Sequence, residues 1–329
     1  MFDAGLYICR EAFFCKGNKC PALNVQTGNQ DMKNIIYKDQ NVTIFQSALF
    51  QTNSTVVLTE DVVLVVDPAW LPDEVLTIKH YVDGIRGNRE LFLIFTHSDY
   101  DHIIGYRAFH PDKVFMSKMM DENPEKQACV EQVLLFDEQY YINRPYPIEY
   151  PKSDFVVYKD GVQYRIGQTK MTFYLTPGHT KDSMMVVVWQ IGLCIAGDYL
   201  SNVEFPLIYD SSMAYEDTLE KLPSIHDRNW FTRLVPGHGD PALTINEWLH
   251  RRTESLSYIY ALRESIATGV ALDEKSLWDR YKFPRIQQQC HLDNITLMTS
   301  EYAQGLWTWD AEVSIYPTKQ LPPDSLCNL

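Results

Sequence analysis

Short apolar runs alternate with turns rich in Gly, Pro and Asp along most of this chain, a pattern that predicts buried strands. The first set of runs covers residues 42–49, 55–59 and 62–66. A second set covers residues 155–158, 163–166, 171–176, 184–189 and 193–196. The runs are rich in β-branched side chains, which favour strands. Each set predicts a β-meander, so the chain is expected to form two sheets.

Helical periodicity fills the segments between and after the two meanders. Residues 72–85 begin with Pro and carry acidic side chains in the first turn, as helix N-termini do. Residues 121–143 predict one helix or two. Two meanders, each followed by helices, predict an α/β protein of the α+β type, with the layers of an αββα sandwich.

The pattern becomes purely helical after Thr244. Residues 244–268 predict one long amphipathic helix with Thr244 as its cap and Gly269 as its stop. Residues 272–281 and 286–306 continue in helical style. We therefore divide the chain into a leader of uncertain structure (1–35), a sandwich domain (36–243) and a C-terminal helical region (244–329).

Charge and composition narrow the range of partners. The chain has 29 Lys and Arg against 43 Asp and Glu, and its formal charge of −14 repels nucleic-acid phosphates. It has no apolar run long enough to predict a membrane span and no signal-peptide core at its N-terminus. The expected partner is a small-molecule substrate, and the oligomeric state stays open.

The cysteines indicate a reducing compartment. There are seven, an odd number, and their scattered positions favour free thiols in the cytoplasm over a disulfide framework. Cys9, Cys15 and Cys20 are an alternative metal site in the leader, but they lack a C-x-x-C pair, so packing or disorder is favoured for them.

Four apolar runs, at residues 91–95, 171–176, 193–196 and 233–235, end on side chains that can bind a metal. Strands buried between layers can bring their carboxyl ends to one edge of a sandwich, so these side chains are expected to converge. Together they are His97, Asp99, Asp101, His102, His179, Asp198 and His238.

The order of these fragments resembles the metallo-β-lactamase superfamily. Its pattern is H-x-H-x-D-H, then a His after a strand and Pro-Gly, then an Asp after a strand and Gly, and then a last His. The resemblance covers roughly residues 36–243. Here the first motif reads H-x-D-x-D-H, because Asp99 occupies the position of the second His.

The resemblance implies a binuclear metallohydrolase with two divalent metal ions. Zinc is favoured, with iron or manganese as alternatives. A hydroxide bridging the two metals would attack an ester, thioester, lactone or phosphodiester, and Asp101 is the implied catalytic residue. The implied first site is His97, Asp99 and His179, the second is Asp101, His102 and His238, and the bridge is Asp198.

Several alternatives stay open at this point. Asp99 and Asp101 are also good helix caps. A carboxylate at position 99 suits iron, which allows a diiron oxygen-handling or redox protein. A non-catalytic binding module is the third alternative. Tyr100 either lines the pocket or packs beneath its loop, and for Tyr199 a structural role is favoured over contact with substrate.

Overall fold

Two β-sheets pack face to face between outer layers of helices in the computed structural model, which describes residues 34–281 and 284–309. The first sheet has seven strands in sequence order, namely β1 (Ile35–Lys38), β2 (Val42–Gln46), β3 (Asn53–Leu58), β4 (Val62–Val66), β5 (Glu90–Ile94), β6 (Lys113–Ser117) and β7 (Phe155–Val157). The second has the order β12-β11-β10-β9-β8, formed by β8 (Val162–Ile166), β9 (Thr169–Leu175), β10 (Met184–Val188), β11 (Leu193–Ile195) and β12 (Arg233–Val235). The α-helices are α1 (Pro72–Arg86), α2 (Tyr100–Ile103), α3 (Lys118–Asp121), α4 (Lys126–Gln139), α5 (Ser212–Asn229), α6 (Ile245–Thr268), α7 (Glu274–Arg280) and α8 (Pro284–Ala303).

Burial on both faces explains why the central strands read as continuous apolar runs. Successive side chains of a strand point to opposite faces. In β4, Val62 and Leu64 lie in the core between the sheets, whereas Val63 and Val65 pack with the helix α1 side chains Val75 and Ile78, among others. Strand β10 does the same in the second sheet, and its outer face packs against α5, α6 and α8. The predicted αββα sandwich with a C-terminal helical appendage is confirmed.

The sheet topology brings several carboxyl ends to one edge. Strands β1 to β4 form an antiparallel meander, and β4, β5, β6 and β7 are parallel. In the second sheet β11 and β12 are parallel. Backbone hydrogen bonds join the two sheets at this edge, from Met184 N to Thr96 O (2.8 Å) and from Asn53 N to Gly237 O (2.6 Å). These hydrogen bonds hold the strand ends in place, and therefore also the starting points of the loops that follow them.

The long C-terminal helix has the predicted ends. The Thr244 hydroxyl accepts a hydrogen bond from Glu247 N at 3.2 Å, and Glu247 accepts one from Leu243 N at 2.9 Å. Gly269 ends the helix in the left-handed region, with a φ of 73° that favours glycine. Helices α6 and α8 share one hydrophobic core with the outer face of the second sheet. The domain boundaries proposed from the sequence stay a prediction.

Several elements differ from the sequence interpretation. The run at residues 155–158 was expected to open the second meander, but β7 pairs in parallel with β6 in the first sheet. Strand β6 itself was not predicted. Helix α5 was also missed, because Pro223 lies in its interior and such a residue ordinarily ends a helix. Its buried face, with Leu219 and Leu222, nevertheless carried helical spacing.

The predicted leader, including Cys9, Cys15 and Cys20, lies almost wholly outside the described residues. Within the described ranges, the cysteines Cys129, Cys194 and Cys290 carry free thiols. None of the helices in those ranges combines the length and the apolarity that crossing a membrane requires. The cytoplasmic location stays a prediction.

Candidate metal centre

All seven side chains singled out in the sequence lie at the edge where the carboxyl ends of β5, β9, β11 and β12 meet. One ligand atom from each member of the first cluster lies within 4.8 Å of those of the others, and the same holds within the second. The first cluster is His97, Asp99, His179 and Asp198, and the second is Asp101, His102 and His238.

Asp198 lies at the centre of the arrangement. Its Oδ2 is 3.2 Å from Nε2 of both His179 and His238, and its Oδ1 is 3.2 Å from His102 Nε2. His97 Nε2 is 3.6 Å from Oδ2. The two oxygens of one carboxylate thus reach imidazoles of both clusters, which is the position required of a bridging ligand.

Asp101 faces the second cluster. Its Oδ2 lies 3.7 Å from His102 Nε2 and 3.6 Å from His238 Nε2. The Thr52 hydroxyl donates a hydrogen bond of 3.2 Å to this oxygen. Asp101 is 7% exposed, so its carboxylate is held inside the site and does not cap the helix surface.

Asp99 occupies the N-cap position of α2, yet its side chain makes no capping hydrogen bond. Its Oδ2 instead lies 3.3 Å from His179 Nε2 and 3.6 Å from His97 Nε2. Burial alone would raise the pKa of Asp99, but the two imidazoles lower it well below its usual value. The alternative that Asp99 is only a helix cap is therefore wrong.

Backbone carbonyls orient two of the imidazoles from outside. His179 Nδ1 donates to Leu207 O at 2.7 Å, and His238 Nδ1 donates to Phe50 O at 2.9 Å. A carbonyl can only accept, so each ring carries its proton on Nδ1. In the neutral form of each ring, the lone pair is then on Nε2 and faces the cluster.

Asp67, directly after β4, orients the other two imidazoles. Its Oδ2 lies 3.0 Å from His102 Nδ1 and accepts a 2.5 Å hydrogen bond from the Thr96 hydroxyl. That hydroxyl is 3.0 Å from His97 Nδ1, and Thr96 N donates to Asp67 Oδ1 at 2.9 Å. Asp67 is not among the side chains predicted from the sequence to form the site. Its signal was its position after a buried strand, the same as that of the ligands.

Four inward-facing atoms of the site form no hydrogen bond with any described residue, although they lie 3.2–3.6 Å from polar atoms of the two clusters. These buried atoms without a hydrogen bond are Nε2 of His97, His102 and His179 and Oδ1 of Asp198. Buried polar atoms in folded proteins are nearly always paired, so several orphans in one place need an explanation. A divalent cation accounts for them, and imidazole nitrogens with carboxylate oxygens suit zinc, iron or manganese.

Opposite charges dominate the electrostatics of the cluster. Burial alone would lower the pKa of His102 and His179, but Asp198 raises both well above their usual value. Burial alone would raise the pKa of Asp198, but His238 and His102 lower it well below its usual value. A metal ion would have to displace protons from these imidazoles, so its binding is expected to release protons.

The glycines before two of the ligands are required by close packing. A Cβ on Gly237 would lie 2.0 Å from Asp198 Oδ1, and one on Gly178 would lie 2.3 Å from backbone atoms of Tyr215. Gly178 also has a φ of 129°. The two Pro-Gly pairs therefore allow the ligand loops to approach one another, in addition to forming turns.

The two tyrosines beside the ligands have structural contacts. Tyr199 is fully buried, and its hydroxyl lies 2.8 Å from Pro177 O and accepts a hydrogen bond from His179 N at 3.1 Å. The favoured structural role of Tyr199 is confirmed. Tyr100 packs edge-on against Trp70, with ring centroids 5.5 Å apart.

The chain resembles known proteins in its sequence pattern and in its fold. Residues 48–238 match the sequence profile of the metallo-beta-lactamase superfamily. No curated protein sequence gave a significant match.

Solved structures share the fold at low sequence identity. The stereoselective inverting sec-alkylsulfatase from Pseudomonas sp. superposes with a TM-score of 0.54 and 12% identity over 70% of this chain. A double mutant of the sulfatase superposes over the same share of this chain with a TM-score of 0.57 and 11% identity. The chain spans only 42% of the length of either sulfatase chain. A metallo-beta-lactamase family protein from Thermus thermophilus superposes with a TM-score of 0.51 and 16% identity, over 69% of this chain and 81% of its own.

Proposed function

Because this chain belongs to the metallo-beta-lactamase superfamily, we propose that it is a metal-dependent hydrolase with a binuclear centre. The observation that carries the proposal is the set of unpaired buried atoms of His97, His102, His179 and Asp198, all of them at the meeting point of two ligand clusters. The donors of each cluster are sufficient for one divalent ion, with Asp198 shared between the two.

The proposed ligand sets follow the two clusters. His97, Asp99 and His179 would hold one ion, whereas Asp101, His102 and His238 would hold the other. Zinc is the favoured metal, because four of the seven donors are imidazoles. Iron and manganese are the alternatives, because three are carboxylates.

The chemistry divides between the ions and the protein. Two divalent cations, when bound, lower the pKa of water toward about 7 and so supply a nucleophile at neutral pH. Asp101 is proposed to accept the proton of the attacking water. Its buried carboxylate is fixed by Thr52 at the face of the second cluster, which meets the requirement for a positioned base.

The proposed reaction is hydrolysis of an ester, a thioester, a lactone or a phosphodiester. The likeness in fold to a sec-alkylsulfatase adds sulfate esters to this range. At an acyl or phosphoryl centre negative charge develops on oxygen during attack. In hydrolysis of a sec-alkyl sulfate with inversion at carbon, the charge develops on the departing sulfate, and cations stabilise the charge in both cases.

A substrate panel tests the proposal. The full chain, loaded with zinc and separately with manganese or iron, would be assayed on para-nitrophenyl acetate, a thioester, a lactone, bis-para-nitrophenyl phosphate and a secondary alkyl sulfate. We expect turnover of at least one class, lost on chelation and restored by the metal. Lack of turnover across the panel by protein shown to contain two metals would refute hydrolysis.

Asp99 supports a second candidate function, a diiron redox protein. It places a carboxylate 3.3 Å from His179 Nε2, and carboxylates favour harder ions than imidazoles do. Protein purified without added metal distinguishes the two candidates. Bound iron with visible absorbance that changes on reduction would support redox chemistry, and colourless protein containing zinc would eliminate it.

A further inference from the structure

A cavity of about 830 Å³ adjoins the candidate metal centre on the side of His238. Its walls are the turn at residues 46–51 between β2 and β3, residues 203–204 and the first turn of α8 at residues 284–287. The wall and the site share backbone, because Phe50 lines the cavity and its carbonyl accepts the hydrogen bond from His238 Nδ1. A cavity of this size accommodates a small organic molecule.

Aliphatic and aromatic side chains form much of the wall. Leu49, Phe50, Val203 and Ile286 contribute from three separate segments. Ile286 is 50% exposed, so apolar surface at the cavity lies open to solvent. Covering it with an apolar group would be favourable by about 25 cal/mol per Å². The wall therefore suits a hydrocarbon chain.

One wall residue, Glu204, is an acid without a hydrogen-bond partner. Its half-buried carboxylate forms no hydrogen bond or ion pair with any residue that the structure describes. Burial raises the pKa of Glu204 to about 7; the nearby His238 opposes this shift and the Asp198 carboxylate adds to it. A polar group in partly apolar surroundings is destabilised unless it is paired. A ligand with an N–H or O–H group would supply the missing partner.

The position of Glu204 is fixed by α8. Gln287, which is 3% exposed, donates a 2.7 Å hydrogen bond to the carbonyl of Val203, the residue before Glu204. Arg285 also lines the cavity, but its side chain is exposed and water screens its charge. The unpaired acid is therefore a stronger determinant of the ligand than the cation.

We infer that this cavity binds an aliphatic chain of the substrate and that Glu204 accepts a hydrogen bond from an N–H or O–H group on the substrate. Identifying the ligand as the substrate rests on the proposed hydrolase function. The binding site itself does not, because it can be tested with molecules that are not hydrolysed.

Calorimetric titration of the full, metal-containing chain tests the site directly. Hexanamide, octanamide and decanamide serve as probes. Methyl octanoate is the control, because it has the same acyl chain as octanamide but no N–H group. Each pair of added methylenes should tighten binding about tenfold, as burial of hydrocarbon predicts. At a pH well above 7, where Glu204 is ionised and can only accept, octanamide should bind about tenfold more tightly than methyl octanoate, because only the amide has an N–H to donate.

Three variants separate the parts of the inference. Ile286→Trp should fill the cavity and weaken decanamide binding at least tenfold. Leu292→Trp is its matched control on the same helix, since Leu292 is 53% exposed and does not line the cavity. Glu204→Leu should keep the preference for longer chains and lose the preference for amide over ester.

The outcomes distinguish this inference from the proposed function. Affinity that is independent of chain length, or equal effects of the two Trp variants, would overturn the cavity as the binding site. An amide preference that persists in Glu204→Leu would overturn the role of Glu204. If affinity rises with chain length but the protein hydrolyses nothing, the cavity site is supported and the hydrolase is refuted. If the protein hydrolyses a substrate but its affinity for the amides does not rise with chain length, the hydrolase is supported and the cavity site is refuted.

Discussion

Single atoms decide what the candidate centre can bind. An imidazole bound through Nδ1 and a carboxylate oxygen have the same reach from the backbone, since both donor atoms lie two bonds beyond Cβ. Asp99 therefore reaches the first cluster where the superfamily pattern has a His, but it adds a negative charge and a harder donor. Its side chain is 32% exposed, so it is also the ligand closest to solvent.

Substitution of Asp99 should affect one metal site and spare the other. Asp99→Ala removes a donor 3.3 Å from His179 Nε2, so the first metal should bind about 10-fold or more weakly. The second cluster, built by Asp101, His102 and His238, keeps its donors. Asp99→His should retain both metals and shift the preference toward zinc. Competition titration with a chromogenic chelator measures both affinities, and unchanged binding of two metals by Asp99→Ala would show that Asp99 is not a ligand.

At the scale of elements, helix α8 reaches the metal site through a loop. Asn294 on α8 donates to Pro206 O at 2.7 Å and accepts a hydrogen bond from Ile208 N at 3.0 Å. Between these two residues lies Leu207, whose carbonyl orients His179. The C-terminal helical region therefore contributes to the geometry of the centre, although no ligand comes from it.

This connection predicts a specific effect of Asn294→Ala. Loss of the buried amide leaves polar groups of the loop unpaired, at a cost of about 1–3 kcal/mol in the free energy of unfolding. The affinity of the first metal site should also fall, because the Leu207 carbonyl is released. Thr299→Ala, an exposed change on the same helix, is the control and should alter neither quantity. Denaturant unfolding and metal titration measure the two effects, and an unchanged metal affinity in Asn294→Ala would contradict the connection.

The elements also show how far the sequence could be interpreted. The strands β4 and β10 were predictable because both faces are buried and the runs are continuous. The runs of β5, β9, β11 and β12 likewise indicated where the seven side chains lie, since each ligand follows one of them. The place of β7 in the first sheet was not predictable, since the pairing of Val156 with Met116 depends on contacts between distant segments. Asp67 was missed for the same reason. Its position after a buried strand was visible in the sequence, but its contact with His102 depends on how the two strands pair.

At the scale of the whole molecule, the metal centre should govern how stability depends on pH. Burial alone would lower the pKa of His238, but the neighbouring Glu204 and Asp198 carboxylates raise it from 6.5 to about 10 in the metal-free protein. A raised pKa stabilises the folded state below pH 6.5, and this contribution is lost as the pH rises toward 10. Bound metal reverses the trend, because it requires unprotonated imidazoles.

We therefore expect the melting temperature of the metal-free chain to fall between pH 6.5 and about 10, and the gain in stability on adding metal to grow over the same range. Thermal denaturation with and without chelator at several pH values measures both. The decline should be shallower in metal-free His238→Gln. A gain from metal that stays constant or shrinks with rising pH would show that protons and metal do not compete at these imidazoles.

The central claim is that Asp198 joins two clusters into one binuclear centre, and the metal content of the purified chain tests it most directly. Two like charges close together repel strongly, and Asp198 is the anion placed between them. Elemental analysis should find two divalent ions per native chain and at most one per Asp198→Ala chain of unchanged fold. Two ions retained by Asp198→Ala, or none bound by the native chain even after incubation with zinc, manganese and iron, would contradict the account.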